Sequence, residues 1–308
     1  MEYQVPRDCI TADNEIKKGG IKNLGQFLEE EINKKIEKIN CYKENKIKKV
    51  KQNSEQSDRK AKLLEQENKM NFVQLKNKWS RIYCKCCNNK CINTDNPIGN
   101  CIKGNGFVNI INDEKIKYIS CLEGKGGQNV SAYVYAENSF TKPRLCFHYS
   151  LYYFEIKSIF EGELAMKLMN FGLEKCGTHE RIKFTPRMAT VYDENDVSKL
   201  DNTCWITNDI FGFGLVYPPT HMMNEWPYIF ITKNGKQIGN KMLNKLILTL
   251  IITYKLICKA ILLKENFDSY KPHVWLENCS IEANFGNDLE TKPFKYDISK
   301  HEILKEFY

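Results

Sequence analysis

Five cysteines crowd the passage WSRIYCKCCNNKCINTDNPIGNCIKGNGF: Cys84, Cys86, Cys87, Cys91 and Cys101. Thiolates are soft ligands, and a structural zinc site wants four of them, commonly as two short-spaced pairs. Cys84 with Cys87 supplies one C-x2-C pair. A second pair is missing, because nine residues separate Cys91 from Cys101 and no histidine is close. Cys84, Cys87, Cys91 and Cys101 are therefore weak metal candidates only, and the spacing assigns no metal. The thiols read as small, partly buried side chains at a turn-rich domain edge. The chain has 13 cysteines, an odd number spread from Cys9 to Cys279, which suits reduced thiols better than a disulfide framework.

Other residue types with chemical potential do not assemble. His148, His179, His221, His273 and His301 stand in unrelated contexts, with neither HExxH spacing nor a nucleophile elbow. GKGG at 124–127 lacks the frame that cradles phosphates and reads as a turn. Cysteine nucleophiles need a base and an activating environment, and no sequence signature supplies them. The expectation is a protein that is not an enzyme and carries no cofactor.

The elements that would hold these residues fall into blocks. Residues 1–22 read as a flexible N-terminus. No glycine or proline stands between Gly25 and Pro97, and Leu24, Leu28, Ile32, Ile36, Ile39, Ile47 and Val50 recur at helical spacing. Residues 23–78 are therefore expected to be a helical, coiled-coil-like segment, broken at the polar NSEQSD of 53–58, with a second helix from about Arg59 to Leu75. Such a stripe suits self-association or packing. The formal net charge of +8 is concentrated here: residues 15–78 hold 17 Lys/Arg against 10 Asp/Glu, and the remainder is close to neutral. Aromatics that could stack on bases are nearly absent from that segment, so a solvated charged helix is favoured over nucleic-acid binding, which stays as an alternative of a different class.

Residues 79–105 form a turn-rich, cysteine-rich lead-in, and beyond Gly106 the pattern is short strands. Tyr152, Phe154 and Ile156 alternate with Tyr153, Glu155 and Lys157, the signature of a half-buried strand. Phe211, Phe213, Leu215 and Tyr217 alternate with Gly212 and Gly214, where a bulky neighbour can approach closely. Asn234-Gly235 is a strong hairpin signal, and Ile281, Ala283 and Phe285 share a face. Strands at this spacing without intervening helices predict an antiparallel sandwich.

In this order, YYFEIK (Tyr152 to Lys157), MNFGLEK (Met169 to Lys175), NDIFGFGLVY (Asn208 to Tyr217), YIFITKNGKQIG (Tyr228 to Gly239), YKPHVWLENCSIEANFG (Tyr270 to Gly286) and PFKYDI (Pro293 to Ile298) resemble the SPRY domain. FVNIINDEKIKYISCLEG and AYVYAENSF would fill the preceding half, as in the extended form of the family. The style also resembles the SPRY expansions of plant-parasitic nematodes, some of whose members are secreted effectors. The resemblance implies a mainly β, antiparallel SPRY-type sandwich over 106–300 with an N-terminal helical segment and a tail at 301–308. It implies a non-enzymatic module, an adaptor or scaffold, that binds a peptide or protein partner through loops at one edge, or alternatively an effector acting on host proteins. In family members that act as substrate receptors a Val-Trp-Gly loop lies in the peptide site; Val274, Trp275 and Leu276 occupy the similar position, with glycine replaced. Arg144, His221 and Trp226, on the loops 136–150 and 218–227, are further partner-binding candidates.

The run LNKLILTLIITYKLICKAILL (243–263) is a poor membrane span, since its longest uncharged stretch, Leu246 to Tyr254, has nine residues where about 20 are needed. As a helix it would be amphipathic with a lysine edge. In the SPRY resemblance, KNGKQIG would join KAILLKENFDSYKPHV directly, so residues 240–258 read as an insertion, either real or a short intron carried into the reading frame. With no basic, apolar, small-residue leader at the N-terminus, the expected location is cytoplasmic or nuclear.

Overall fold

The computed structural model describes residues 8–67, 70–92, 99–122, 124–160, 166–193, 196–200, 204–222, 225–239, 260–263 and 267–303. The chain divides into two units, Met1–Glu65 and Gln66–Tyr308.

The described residues of the first unit form a single helix, α1 (Asp8–Glu67). It starts within the segment expected to be flexible and runs through 53–58 without the expected break. No proline stands between Pro6 and Pro97, so no backbone donor is lost. Gly19, Gly20, Gly25 and the polar run lower helix propensity by fractions of a kcal/mol to about 1 kcal/mol each, which a long helix tolerates. Leu28, Ile32, Ile36, Ile39, Ile47 and Val50 are exposed along it. The helix ends at Glu67, so residues 70–78 belong to the second unit and not to the helical segment.

That unit is built from strands β1 (Met70–Phe72), β2 (Trp79–Ile82), β3 (Phe107–Ile110), β4 (Lys115–Ile119), β5 (Ala132–Ala136), β6 (Phe140–Thr141), β7 (Tyr149–Ile159), β8 (Leu168–Lys175), β9 (Arg181–Thr185), β10 (Thr190–Asp193), β11 (Asp196–Lys199), β12 (Ile210–Tyr217), β13 (Tyr228–Lys233), β14 (Lys236–Ile238), β15 (Ala260–Leu262), β16 (Ser269–Glu277) and β17 (Ser280–Asn284). They form a β-sandwich of two sheets. The first runs β14-β13-β12-β7-β17-β4-β3, with β1 and β15 added on β7 and β13; the second runs β11-β10-β9-β8-β16-β5-β2, with β6 added on β16. All these pairings are antiparallel except β1 with β7.

The interior follows the alternation read from sequence. Phe154, Phe211, Phe213, Leu215, Ile281 and Ala283 of the first sheet meet Phe171, Leu173, Phe184, Val274 and Leu276 of the second, all with no exposed surface. Phe154 contacts Phe171 across the sandwich and Phe213 and Phe285 within its own sheet, with ring centroids 6.0–6.3 Å apart.

Strand β7 is buried on both faces, not on one as its alternation suggests. Phe294, Tyr296, Ile298 and Ile303 pack over Tyr149, Tyr153 and Phe230 on the outer side of the first sheet. Glu155 anchors this cover: its buried carboxylate accepts the backbone N–H groups of Lys295 and Tyr296 at 2.9 Å each and the Tyr153 hydroxyl at 3.0 Å. His301 lies under the same cover, bonded to Tyr228 and Tyr296 at 3.1 and 2.9 Å. The tail expected at 301 therefore begins with a residue of the fold. Among the described residues no helix is long and apolar enough to cross a membrane.

Residues 240–258 lie outside the described residues, but their flanks are informative. Ile238 stands opposite Ile231 of β13, and Ala260 stands opposite the adjacent Phe230. The chain leaves the edge of β13 and rejoins it at the neighbouring ladder position, so both flanks pair with one strand edge. A chain lacking residues 240–258 is expected to fold with a thermal midpoint within about 3 °C of the intact protein, a shift equivalent to about 1 kcal/mol. Tryptophan fluorescence reports on this unit, since all four tryptophans lie in it. Loss of cooperative unfolding would show that the stretch is part of the fold.

Candidate functional site

The sandwich presents two distinct surfaces carrying the residues singled out from sequence. One is made by the loops between β6 and β7 and between β12 and β13. Thr220 ties them together: its N–H donates to the Cys146 carbonyl at 2.9 Å, and its hydroxyl oxygen accepts the Cys146 N–H at 3.2 Å. The Tyr149 hydroxyl adds a bond to Glu225 at 2.8 Å. Burial and then this bond raise the Tyr149 pKa, while burial raises that of Glu225. Arg144 and His221 are exposed here, and the Phe147 ring lies 6.3 Å from the His221 ring. Leu145 is 92% exposed, Phe147 69% and Trp226 42%. Leu145 and Phe147 were not among the candidate residues; their signal is an apolar pair flanking Cys146 inside a loop, where burial has no claim on them.

The second surface is the outer face of the second sheet. Val274, Trp275 and Leu276 lie inside β16 and not in a loop. Strand alternation sends Val274 and Leu276 into the core, where both are wholly buried, so neither can meet a partner. Only Trp275 faces outward, half-buried and stacked on Tyr133 with centroids 5.3 Å apart and planes 10° from parallel. It is also remote from the loop edge. Lys142 N–H bonds to Asp268 just before β16, and Trp275 lies seven residues further on, roughly 23 Å along a strand. Sequence order therefore grouped residues that the fold separates.

Around Trp275 the face is bound together by charge and rings. Arg181 donates to Glu174 at 2.9 Å and to the Tyr135 hydroxyl at 2.8 Å, while its guanidinium lies 4.4 Å from the Tyr133 ring centroid. Tyr135 in turn donates to Glu174 at 2.7 Å, and His179 bonds to the other Glu174 oxygen at 3.2 Å. Beneath these rings His273 has no exposed surface, and neither ring nitrogen has a hydrogen-bond partner. Gly172 is its cross-strand neighbour on β8, and a Cβ there would collide with the Ile182 backbone of β9. Burial first, then the charges of Arg181 and Lys183, depress its pKa to about 3. Burial alone lowers His301 to about 4.

The cysteines resolve differently from their spacing. Cys86, Cys87, Cys91 and Cys101 converge, with all four sulfurs within 4.8 Å of one another, and Cys84 is not in the group. Pair templates pass over Cys86 because it adjoins Cys87. Burial pushes the Cys86 thiol up to about 11. For Cys87 burial acts upward too, but the neighbouring Cys91 thiol and the N–H of Asn89 outweigh it and bring the pKa down to about 6.

No family model matches the chain, and no curated protein matches it. Solved structures with some likeness include the Lotus tetragonolobus seed lectin, at 6% identity and a TM-score of 0.26 over 52% of this chain and 84% of that one. The lectin from Bauhinia forficata in complex with GalNAc gives 8% and 0.29 over 61% and 95%. Peanut lectin with a nine-residue peptide gives 8% and 0.28 over 68% and 97%.

The two buried histidines set an acid limit. Each stays neutral in the fold well below the ordinary value of 6.5, so the unfolded chain takes up protons that the folded chain refuses. Their contribution is intact above pH 6.5 and is lost as pH falls toward 4, at up to about 1.4 kcal/mol per pH unit for each proton. His273→Leu is expected to remove one proton from that slope in urea unfolding followed between pH 6.5 and 4. An unchanged slope would mean that His273 is charged in the fold.

Proposed function

We propose that this chain is a non-enzymatic interaction module of SPRY type, an adaptor or scaffold that binds a peptide or protein segment through the edge formed by the loops around Cys146 and Thr220. The observation that carries this reading is the exposure of Leu145, Phe147 and Trp226 on two loops hydrogen-bonded to each other. Large apolar side chains gathered on rigidly supported loops are typical of a binding surface, and an aromatic anchor is a common source of its affinity. Arg144 and His221 supply a polar rim. The six ordered segments that resemble the SPRY domain support the same reading.

Peptides selected from a random display library against the intact chain provide the test. Phe147→Ala and Trp226→Ala are each expected to weaken the selected peptides about tenfold or more, a loss of about 1.4 kcal/mol. Trp275→Ala is expected to leave affinity within about twofold. The reverse pattern would move the binding surface to the outer face of the second sheet.

The partner of α1 is, in this reading, a second copy of the same helix. The exposed stripe from Leu28 to Val50 repeats at spacings of three to four residues, apart from the gap between Ile39 and Ile47, and an antiparallel or parallel pair would bury it. Sedimentation equilibrium is expected to give a concentration-dependent dimer that Ile36→Asp with Ile39→Asp converts to monomer. A monomer at all concentrations would refute the pairing.

A further inference from the structure

We propose that Cys86, Cys87, Cys91 and Cys101 bind one structural zinc ion that fastens the passage between β2 and β3. A tetrahedral zinc with Zn–S bonds of about 2.3 Å spaces its sulfurs about 3.8 Å apart. The Cys86–Cys87 and Cys87–Cys91 sulfur separations are 3.9 and 3.5 Å. All four sulfurs lie within 4.8 Å of one another, so a closure of at most about 1 Å brings the set to zinc spacing.

Backbone geometry supports the same assignment. The Ile92 N–H points at the Cys86 sulfur and the Ile102 N–H at the Cys91 sulfur, both at 3.4 Å, and the amides of Asn89 and Cys91 serve Cys87. Amides aimed at sulfur stabilise thiolates and tune a metal–sulfur centre from outside its ligands. Two ligands also open equivalent turns. The Cys87 carbonyl accepts the Lys90 N–H at 3.0 Å, and the Cys101 carbonyl accepts the Gly104 N–H at 2.8 Å. Each turn closes on a residue with positive φ, 52° at Lys90 and 74° at Gly104.

The ligand chemistry selects the metal. Four thiolates with no carboxylate or imidazole favour zinc over hard cations, and a complete set of four protein ligands makes a closed structural site without a position for substrate. Binding displaces the thiol protons to solvent. Cys86, Cys91 and Cys101 are almost wholly buried with Ile92 in the main core. Zinc there would join the edge strand of one sheet to the edge strand of the other.

The full-length chain, purified without chelator, is expected to contain about one zinc ion by elemental analysis. Cobalt exchanged into it should give tetrahedral ligand-field bands and charge-transfer absorption of the strength of four cobalt–thiolate bonds, bleached by added zinc. Cys86→Ser and Cys101→Ser should lose most of the metal, whereas Cys84→Ser should retain it. If the serine variants do not fold, the cobalt spectrum and zinc release on mercurial titration of the unaltered chain still decide. The proposal is overturned by a chain that takes up no zinc after refolding with the metal, by iron–thiolate absorption, by a disulfide among the four cysteines, or by equal metal loss in Cys84→Ser.

Discussion

The contact of Phe154 with Phe171 across the sandwich fixes what every other strand can do. Phe154 sits on β7, the central strand of the first sheet, and Phe171 sits on β8 of the second. Because side chains alternate along a strand, committing these rings inward commits Tyr152, Ile156, Met169 and Leu173 inward as well. Ladder registers then carry that choice to neighbours: Phe213 opposes Phe154, and Val274 opposes Phe171. A slip of one residue would turn each set outward, so the aromatic centre specifies pairing as well as contributing buried area.

The outward residues differ between the sheets for a reason outside the ladders. The first sheet is covered by the C-terminal segment, held through backbone bonds to Glu155, and its outer rings become a second small core. Over the second sheet, Trp275, Tyr133 and Tyr135 cover one another and bury His273. Residues in either arrangement are constrained by packing. The loop edge around Cys146 and Thr220 escapes that constraint, because its backbone bonds are satisfied between the loops and leave Leu145 and Phe147 without a packing duty. That is where side chains can vary without cost to the fold.

Alternation made the sandwich legible. Phe211, Phe213, Ile281 and Ala283 face inward as read, and Asn234-Gly235 closes β13 on β14 with φ of 50° and 81°. What could not be read is set by distant parts of the chain. Nothing local to YYFEIK announces that residues 294–303 will bury its second face. The helix is legible but its continuity is not, since propensity marks 53–58 as weak without saying that a continuous helix passes through it. Trp275 is singled out by its place in the SPRY resemblance, yet its distance from Arg144, His221 and Trp226 depends on a strand running the length of the sheet. Cys86 was missed because ligand templates count residues along the chain, while the sulfurs meet after two turns have folded it.

An open sandwich has exposed edges, and an unprotected edge strand is a template for unwanted pairing. Here the two edges on one side belong to β2 and β3, which follow one another in the chain. Trp79 at the start of β2 bonds directly to the turn between β3 and β4, its N–H to the Asp113 carbonyl at 2.8 Å and its indole N–H to the Glu114 carbonyl at 3.1 Å. The intervening passage turns back at Cys87–Lys90 and Cys101–Gly104 and buries Cys86, Cys91, Ile92 and Cys101 against the same core. Small sulfur side chains suit such a passage because they fill its interior without the volume a second aromatic layer would demand. The described residues that join the two edges thus contribute Cys86, Cys91, Ile92 and Cys101 to the core, so the turn-rich, cysteine-rich stretch is tied into the sandwich and does not merely lead up to it.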